Sequence, residues 1–261
     1  MRCRLCDHEC AVAFERTILR RQTVGYYACP DCGALQTQEP TWLAAAYDSA
    51  IAALDTGIVT RNLVNQAVVW LIARILKPAG RLIDFGGGTG MLCRLLRDLG
   101  FDAHLMDRYA DPVFARGFVL TPETAAAEPV AILSCFEVVE HLVAVADELG
   151  TLFALKPAVL VASTKLWAGQ GAQWPYLVPE TGQHVFFYAA RTMATIAARH
   201  GYSYISRGDY HLFLRTPARP VQQALLRLAL SRPGLLAARL AIAARLSFRF
   251  AERDQALLNR S

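Results

Sequence analysis

The sequence has no long apolar run and few charged residues. No stretch reaches the about 18 consecutive apolar residues that a membrane-spanning helix needs, which excludes an integral membrane protein of the helical kind. Charged residues make up 19% of the 261 residues and hydrophobic residues 54%, which excludes disorder as the main state of the chain. The first residues, Met1 to Cys6, lack the apolar core of a secretion signal. We therefore expect a cytoplasmic protein.

Lysine is almost absent, and the positive charge of the chain is concentrated at its C-terminal end. Residues 215–261 contain nine Arg and two acidic residues, a net charge of +7, whereas the other 214 residues have a net charge of −2. A near-neutral body argues against a nucleic-acid-binding core. The basic segment predicts a helical tail over residues 215–261. This tail either contacts an anionic lipid surface, a nucleic acid or an acidic partner, or is a solvated helical surface.

Five of the seven cysteines lie within the first 32 residues. Four of them form two Cys-x2-Cys pairs, Cys3 with Cys6 and Cys29 with Cys32. Each pair can direct two thiolates to one ion, and two pairs complete a tetrahedral zinc site. Disulfides are disfavoured in a chain without a secretion signal. A four-thiolate site has no open position for water, so the sequence predicts a structural zinc in a module of residues 1–40. His8 and Cys10 are alternative ligands.

Strands and helices alternate through the body of the chain. Short apolar runs predict strands at residues 81–85, 103–106, 130–135 and 158–162, with helical segments between them. This alternation predicts an α/β fold with a parallel sheet covered by helices on both faces. Two later runs, residues 202–206 and 211–214, predict a closing antiparallel hairpin.

A glycine-rich turn, Gly86–Gly90, follows the first strand of the predicted sheet. The backbone of such a turn can approach a nucleotide closely. The third glycine of the dinucleotide motif is missing because position 91 is Met. Asp84 precedes the turn, where a carboxylate would repel pyrophosphate but suit a cationic ligand. Asp107, at the end of the next strand, can accept hydrogen bonds from two ribose hydroxyls.

The segment LIDFGGGTG, the acid at the end of the second strand and the segment CFEVVEHL together resemble the class I S-adenosylmethionine (SAM)-dependent methyltransferases. The resemblance covers about residues 61–214. It implies a methyltransferase domain over residues 41–214, with a Rossmann-like sheet of seven strands that ends in a reversed hairpin. It also implies SAM as the cofactor. The residues implied to contact SAM are Asp84, Gly86, Gly88, Gly90, Asp107, Arg108, Cys135 and Phe136.

An irregular segment, Trp167–Tyr188, is rich in aromatic residues, whose faces can stack on sugar or base rings. Its end, GQHVFFY, resembles the substrate loop of bacterial sugar methyltransferases, which also carry an N-terminal four-cysteine zinc module. His184 matches the general base of the C-methylating members. Their preceding Glu is Gln183 here, and their large extra C-terminal domain has no counterpart in this sequence. We therefore predict O-methylation of a sugar or glycan precursor, with His184 as the general base.

A second cluster, Glu137-x-x-Glu140-His141, would share one face of a helix beginning at Glu137. Together with His184, these side chains could bind a divalent ion. The cluster resembles the metal site of small-RNA 2′-O-methyltransferases and of some ubiquinone-pathway O-methyltransferases. It implies, as an alternative, metal-assisted methylation of RNA or of a small aromatic hydroxyl. Glu137 and His141 therefore join His184 as candidate catalytic residues. A third alternative is a non-catalytic scaffold that recruits partners through the zinc module and the basic tail.

Overall fold

The computed structural model describes residues 1–47, 56–245 and 247–259. The chain forms two compact units, each assembled from separate segments. The first unit contains residues 1–56, 137–154 and 163–204, and the second contains residues 57–136, 155–162 and 205–261. This grouping differs from the predicted division at residues 40 and 215. The N-terminal strands share a sheet with a strand near residue 186, and the C-terminal helices pack on a helix of the second unit.

The first unit is built on a four-stranded sheet. Strands β1 (Ala11–Ile18), β2 (Gln22–Ala28) and β3 (Leu35–Thr37) pair in antiparallel order, and β3 also pairs with the short strand β8 (Phe186–Phe187). The helices are α1 (Leu43–Tyr47), α5 (Val145–Ala154) and α6 (Ala190–His200), with single 3-10 turns at Val139–His141 and Pro175–Leu177. Buried side chains from β2, β3 and β8 form one apolar cluster with Trp42 and Leu177.

The second unit carries most of a six-stranded sheet. Its strands are β4 (Arg81–Phe85), β5 (Ala103–Met106), β6 (Val130–Phe136), β7 (Val159–Ser163), β9 (Ser203–Arg207) and β10 (Tyr210–Leu214), in the order β5-β4-β6-β7-β10-β9. Strand β4 pairs in parallel with both β5 and β6. The two-residue connection Gly208–Asp209 joins the neighbouring strands β9 and β10 as the expected hairpin.

The described part of this sheet has six strands, so the prediction of seven is wrong. An isolated parallel bridge between Leu105 and Val119 lies beyond β5, at the edge where a further strand would pair. Only the few residues between Gly117 and Thr121 are available for an extended strand at this edge. Gly117 has a left-handed backbone (φ 80°), and Thr121 already caps the N-terminus of a helix that begins at Pro122.

The helices of the second unit are α2 (Ile58–Leu76), α3 (Met91–Arg97), α4 (Pro122–Ala126), α7 (Pro220–Ala229), α8 (Arg232–Ala243) and α9 (Arg249–Leu258). Helices α7 and α8 both contact α2, where Leu226, Ala238 and Ile242 are buried. The basic segment is therefore helical, as predicted, and it packs on the second unit. None of the described helices is long and apolar enough to cross a membrane.

Candidate active site

The glycine turn after β4 adopts the conformation that its residues allow. Gly86, Gly88 and Gly90 have φ values of 67°, 58° and 81°, in the left-handed region that side chains with a Cβ rarely occupy. Gly90 immediately precedes α3, and a Cβ there would lie 2.4 Å from the Cβ of Ala115. The turn therefore requires glycine for its backbone and for close packing. Gly86 to Thr89 are partly exposed, so their backbone is accessible to a ligand.

Asp107 ties the end of β5 to this glycine turn. One carboxylate oxygen accepts a hydrogen bond from the Gly88 N–H at 2.9 Å. The other oxygen accepts from the N–H groups of Tyr109 at 2.8 Å and Ala110 at 3.0 Å. The neighbouring Arg108 is exposed and lies over the Tyr109 ring at 4.8 Å. These three bonds use three of the about four acceptor positions of the carboxylate, which leaves one position for a ribose hydroxyl.

Asp84 lies beneath the turn and is 4% exposed. Ser134 donates a hydrogen bond from its Oγ to Asp84 Oδ1 at 2.8 Å. A Cβ at Gly87 would lie 2.1 Å from Asp84 Oδ2. Burial, reinforced by the nearby charge of Asp107, raises the pKa of Asp84 to about 7. The Asp84 carboxyl group is therefore packed against Gly87, and its Oδ2 has no hydrogen-bond partner among the described residues.

Two residues predicted to contact the cofactor, Cys135 and Phe136, lie at the end of β6. The Cys135 side chain is fully buried, and burial raises the pKa of its thiol. The Phe136 ring packs edge-on against Tyr210, with ring centroids 6.2 Å apart. Cys135 can therefore border a ligand only through its backbone, and Phe136 ends the strand directly before Glu137.

The helix predicted to begin at Glu137 does not form, and that prediction is wrong. Glu137 has a left-handed backbone (φ 55°), followed by a single 3-10 turn at Val139–His141, and α5 begins only at Val145. Ser163 stabilises this bend through hydrogen bonds to both the backbone and the side chain of Glu137. Its Oγ accepts from the Glu137 N–H at 2.9 Å and donates to Glu137 Oε1 at 2.7 Å. The acidic residues of this segment therefore do not share a helical face.

Glu140 is fully buried in the first unit. The hydroxyl of Tyr176 donates a hydrogen bond to Glu140 Oε1, and Oε2 has no hydrogen-bond partner among the described residues. Burial, followed by repulsion from Glu137, raises the pKa of Glu140 to about 8. The carboxyl group is therefore mostly protonated at pH 7. No sequence pattern identifies Tyr176 or Ser163, because each is distant in sequence from the acid it contacts.

His141 and His184 lie side by side, with ring centroids 4.9 Å apart. His184 Nδ1 is 2.7 Å from the carbonyl oxygen of Tyr176, and His141 Nδ1 is 3.1 Å from that of Gln183. A carbonyl oxygen only accepts, so each Nδ1 carries the proton and each Nε2 keeps its lone pair. Burial lowers the pKa of His184. Burial, together with the neighbouring His184, lowers that of His141 to about 3.

Of the expected cluster of Glu137, Glu140, His141 and His184, the structure brings together Glu140, His141 and His184, but not Glu137. Each residue offers one donor atom, and the three atoms lie within 4.8 Å of one another. The backbone of Val185 stabilises this arrangement, since its N–H donates to the Glu140 carbonyl at 2.9 Å. Its carbonyl accepts from the Thr37 N–H at 3.0 Å. Strand β3 thus contributes to holding His184 beside Glu140.

The tryptophans of the irregular segment pack inside the first unit. The rings of Trp167 and Trp174 are 5.7 Å apart, and Trp174 lies 5.7 Å from Phe187. Both tryptophans are partly buried against the apolar cluster of this unit. Much of their aromatic surface is therefore used for packing.

The four predicted zinc ligands converge. The Sγ atoms of Cys3, Cys6, Cys29 and Cys32 lie within 4.8 Å of one another. The Cys3–Cys32 and Cys6–Cys29 sulfur distances are 3.7 and 3.5 Å, and none of these residues is in a disulfide. Zn–S bonds of about 2.3 Å in a tetrahedron place sulfur atoms about 3.8 Å apart. The tetrad therefore fits a zinc ion, whereas the Cys10 thiol instead points to the His8 carbonyl at 3.8 Å.

A family model described as a methyltransferase domain matches residues 61–207. The chain belongs to this methyltransferase family. It is therefore an enzyme with methyl-transfer activity. The matched segment includes the glycine turn, Asp107, Glu140, His141 and His184. It does not include the cysteine tetrad or helices α7 to α9.

Several solved structures of methyltransferases are similar to this chain. An O-methyltransferase family protein from Burkholderia thailandensis is 15% identical, with a TM-score of 0.49 over 70% of this chain and 65% of that one. The 1,6-didemethyltoxoflavin-N1-methyltransferase of the same organism is 13% identical, with a TM-score of 0.48 over 77% and 97%. Magnesium protoporphyrin IX methyltransferase from Synechocystis is 16% identical, with a TM-score of 0.42 over 69% and 98%. A comparison with curated proteins found no match.

The methyltransferase should depend on Asp107 for binding its cofactor. We expect Asp107→Ala to weaken binding of the product S-adenosylhomocysteine about 100-fold, because a charge-assisted hydrogen bond to a ribose hydroxyl is lost and the glycine turn loses its anchor. Calorimetric titration measures this change. Asp111→Ala is the matched control, since that exposed acid pairs with Arg116 at 3.1 Å. Equal affinities of the wild type and Asp107→Ala would contradict the assignment.

Proposed function

We propose that the enzyme transfers the methyl group of SAM to a hydroxyl of a sugar or glycan precursor, with His184 as the general base. The observation that carries the proposal is the state of His184. Its Nδ1–H is held by the Tyr176 carbonyl, its Nε2 lone pair is available, and its lowered pKa keeps the ring neutral at pH 7. A neutral imidazole is suited to removing a hydroxyl proton in the transition state.

The reaction breaks the methyl–sulfur bond and forms a methyl–oxygen bond in line with it. The hydroxyl proton moves to Nε2 of His184, and S-adenosylhomocysteine leaves. The residues proposed to bind SAM, Gly86 to Gly90 and Asp107, belong to the second unit, and His184 belongs to the first. Phe136 and Glu137 join these units in sequence.

Gln183 supports methylation of oxygen rather than carbon. It stands where the similar C-methylating enzymes carry Glu. Its side chain is buried and donates a hydrogen bond to the Ala46 carbonyl at 2.9 Å. An amide cannot take up a proton near neutral pH, so Gln183 cannot provide a second base. Removal of the proton from an acceptor hydroxyl requires only one base. The sugar class itself rests on the similarity of the GQHVFFY segment to sugar methyltransferases.

Transfer of a labelled methyl group tests this proposal. The zinc-loaded enzyme is incubated with SAM carrying a 13C-methyl group and a panel of nucleotide sugars, and the products are identified by NMR and mass spectrometry. We expect a sugar with a 13C-methoxy group. A product methylated at nitrogen or carbon would contradict the sugar O-methyltransferase assignment. Methylation of aromatic hydroxyls, with no sugar methylated, would contradict it as well.

A metal-assisted reaction is the second candidate, and the geometry of Glu140, His141 and His184 favours it specifically. The two Nε2 atoms and the unpartnered Glu140 Oε2 are donors suited to a divalent ion. Such an ion would polarise the acceptor hydroxyl. However, the pKa of Glu140 near 8 means that this carboxyl must lose a proton before it binds an ion at pH 7. We therefore prefer the metal-free reaction.

The response of the methyl-transfer rate to added metal distinguishes the metal-free reaction from the metal-assisted one. For the zinc-loaded enzyme we expect the methyl-transfer rate to stay the same with EDTA, Mg²⁺ or Mn²⁺. Stimulation of more than about tenfold by either ion, accompanied by release of about one proton per ion bound, would establish the metal-assisted reaction instead. In that case Glu140→Gln should abolish the stimulation and Glu148→Gln should retain it. Zinc content is measured after each treatment, so that loss of the cysteine site is recognised.

We also propose a structural zinc ion at the cysteine tetrad, supported by its sulfur distances. Elemental analysis should find one zinc per chain, and Cys6→Ser should lower this value while Cys10→Ser should not. Zinc–thiolate sites persist in reducing compartments, which supports a cytoplasmic location.

A further inference from the structure

Helices α7 and α8 expose large apolar side chains on their outer faces. Their exposed fractions are 71%, 46% and 70% for Val221, Leu225 and Leu228 of α7, and 57% and 66% for Leu236 and Leu240 of α8. Residues three or four apart lie on the same face of a helix, so each set forms a stripe. The opposite faces bury Leu226, Ala238 and Ile242 in the second unit. The stripes are therefore not part of this unit's core.

The C-terminal segment that carries the apolar stripes also has many exposed arginines and few acidic residues. Its exposed arginines include Arg219, Arg227, Arg232, Arg245, Arg249 and Arg253. The segment has two acidic residues, Glu252 and Asp254. Asp254 is 1% exposed and is bound by Arg94, Arg97 and Arg253, so its charge is compensated within the fold. The surface is strongly positive as well as apolar.

A cavity of about 310 Å³ lies where α8 ends and α9 begins, lined by Trp70, Arg74, Leu99, Gly100, Phe101, Arg245 and Phe250. The guanidinium carbons of Arg74 and Arg245 each lie 5.6 Å from the Trp70 ring centroid. Two guanidinium groups on one cavity are complementary to a phosphate group. The same segment thus combines apolar stripes with an anion-complementary cavity.

We propose that this surface docks the enzyme on a membrane containing anionic phospholipid. The leucines of α7 and α8 enter the boundary between headgroups and acyl chains, and the cavity between Arg74 and Arg245 receives a lipid phosphate. A soluble polyanion would match the arginines but leave the apolar stripes in water. In this arrangement the helices lie along the membrane surface, as amphipathic helices do.

Vesicle sedimentation with the full chain tests the docking surface. We expect binding to vesicles of phosphatidylcholine with 30% phosphatidylglycerol, and much weaker binding to phosphatidylcholine alone. The variant Leu228→Ser/Leu236→Ser/Leu240→Ser should lose more than about tenfold in affinity. Arg74→Gln/Arg245→Gln should lose about 25-fold in affinity, since each arginine near an anionic surface contributes about fivefold. Val12→Ser, a change at a 67% exposed position on β1, is the matched control and should bind as the wild type.

Several outcomes would overturn the proposal. These are equal binding to neutral and anionic vesicles, absence of binding, or unchanged binding by the leucine variant. Binding to heparin that is indifferent to the leucine changes, with no vesicle binding, would assign the surface to a soluble polyanion. A wild-type dimer that the leucine variant converts to monomer, again without vesicle binding, would assign it to a second copy of the chain. Thermal unfolding of each variant confirms that it is folded.

Discussion

His184→Ala should lower kcat for methyl transfer by about 10² to 10⁴, the usual contribution of a general base. Affinity for S-adenosylhomocysteine should stay the same, because the residues proposed to bind the cofactor are in the other unit. The wild-type rate should also depend on pH in a defined direction. Burial holds the pKa of His184 below its usual 6.5, so the base stays neutral above pH 6.5. The rate should fall only as the pH drops below that value and the ring becomes protonated.

His200→Ala is the matched control for His184→Ala. His200 lies at the end of α6 and stacks on Phe153 at 4.2 Å, and its pKa is also lowered by burial. Its removal changes a partly buried histidine of the same unit without touching the proposed site, and kcat should remain at the wild-type level. A His184→Ala enzyme that binds S-adenosylhomocysteine and turns over at the wild-type rate would remove His184 from the mechanism.

Asp254→Ala should reduce the free energy of unfolding by about 3–5 kcal/mol, because it removes the main counter-charge of the buried Arg97 guanidinium group. Asp254 accepts hydrogen bonds from Arg97 at 2.6 and 2.9 Å and from Arg94 at 2.8 Å. The Arg97 and Asp254 side chains are 4% and 2% exposed. This group of charges anchors α9 to α3, so its loss should also release the C-terminal helix.

The contribution of Asp254 to stability should disappear in acid. Burial alone would raise the pKa of Asp254, but hydrogen bonds from Arg97, Arg94 and Arg253 outweigh burial and hold that pKa well below its ordinary value of 3.8. A lowered pKa stabilises the fold above the unfolded-state value, and this stabilisation is lost as the pH falls below it. The difference between the wild type and Asp254→Ala should therefore shrink below pH 3.8.

Urea unfolding at pH 7 measures the effect of Asp254→Ala. Glu252→Ala is the control, because this exposed acid lies on the same helix and its removal should change stability by no more than about 0.5 kcal/mol. Similar stabilities of the two variants would show that the charged cluster does not anchor α9.

Features set by local sequence could be predicted well. The glycine turn, Asp107 at the end of its strand and the cysteine spacing each depend on neighbouring residues. The structure accordingly places Asp107 on the turn and brings the four sulfur atoms together. The alternation of apolar runs likewise predicts β4, β5, β6 and β7, because buried parallel strands read as short apolar segments.

Features set by distant contacts could not be predicted. The bend at Glu137 depends on Ser163, 26 residues further along the chain, so local spacing wrongly indicates a helix. The expected seventh strand is reduced to a bridge at Val119 because the chain turns at Gly117 and enters α4 at Pro122. Tyr176 contacts Glu140 and His184 from within an irregular segment, where no periodicity marks its role.

The proposed mechanism depends most directly on the protonation state of His184. Long-range 1H–15N correlation NMR of the histidine rings measures that state without an acceptor substrate. Assignment uses His184→Ala. We predict that His184 is neutral at pH 7 with the proton on Nδ1, and that its pKa lies below 6.5. A His184 ring that is protonated on both nitrogens at pH 7, or neutral with its proton on Nε2, would contradict its role as the base that receives the acceptor proton.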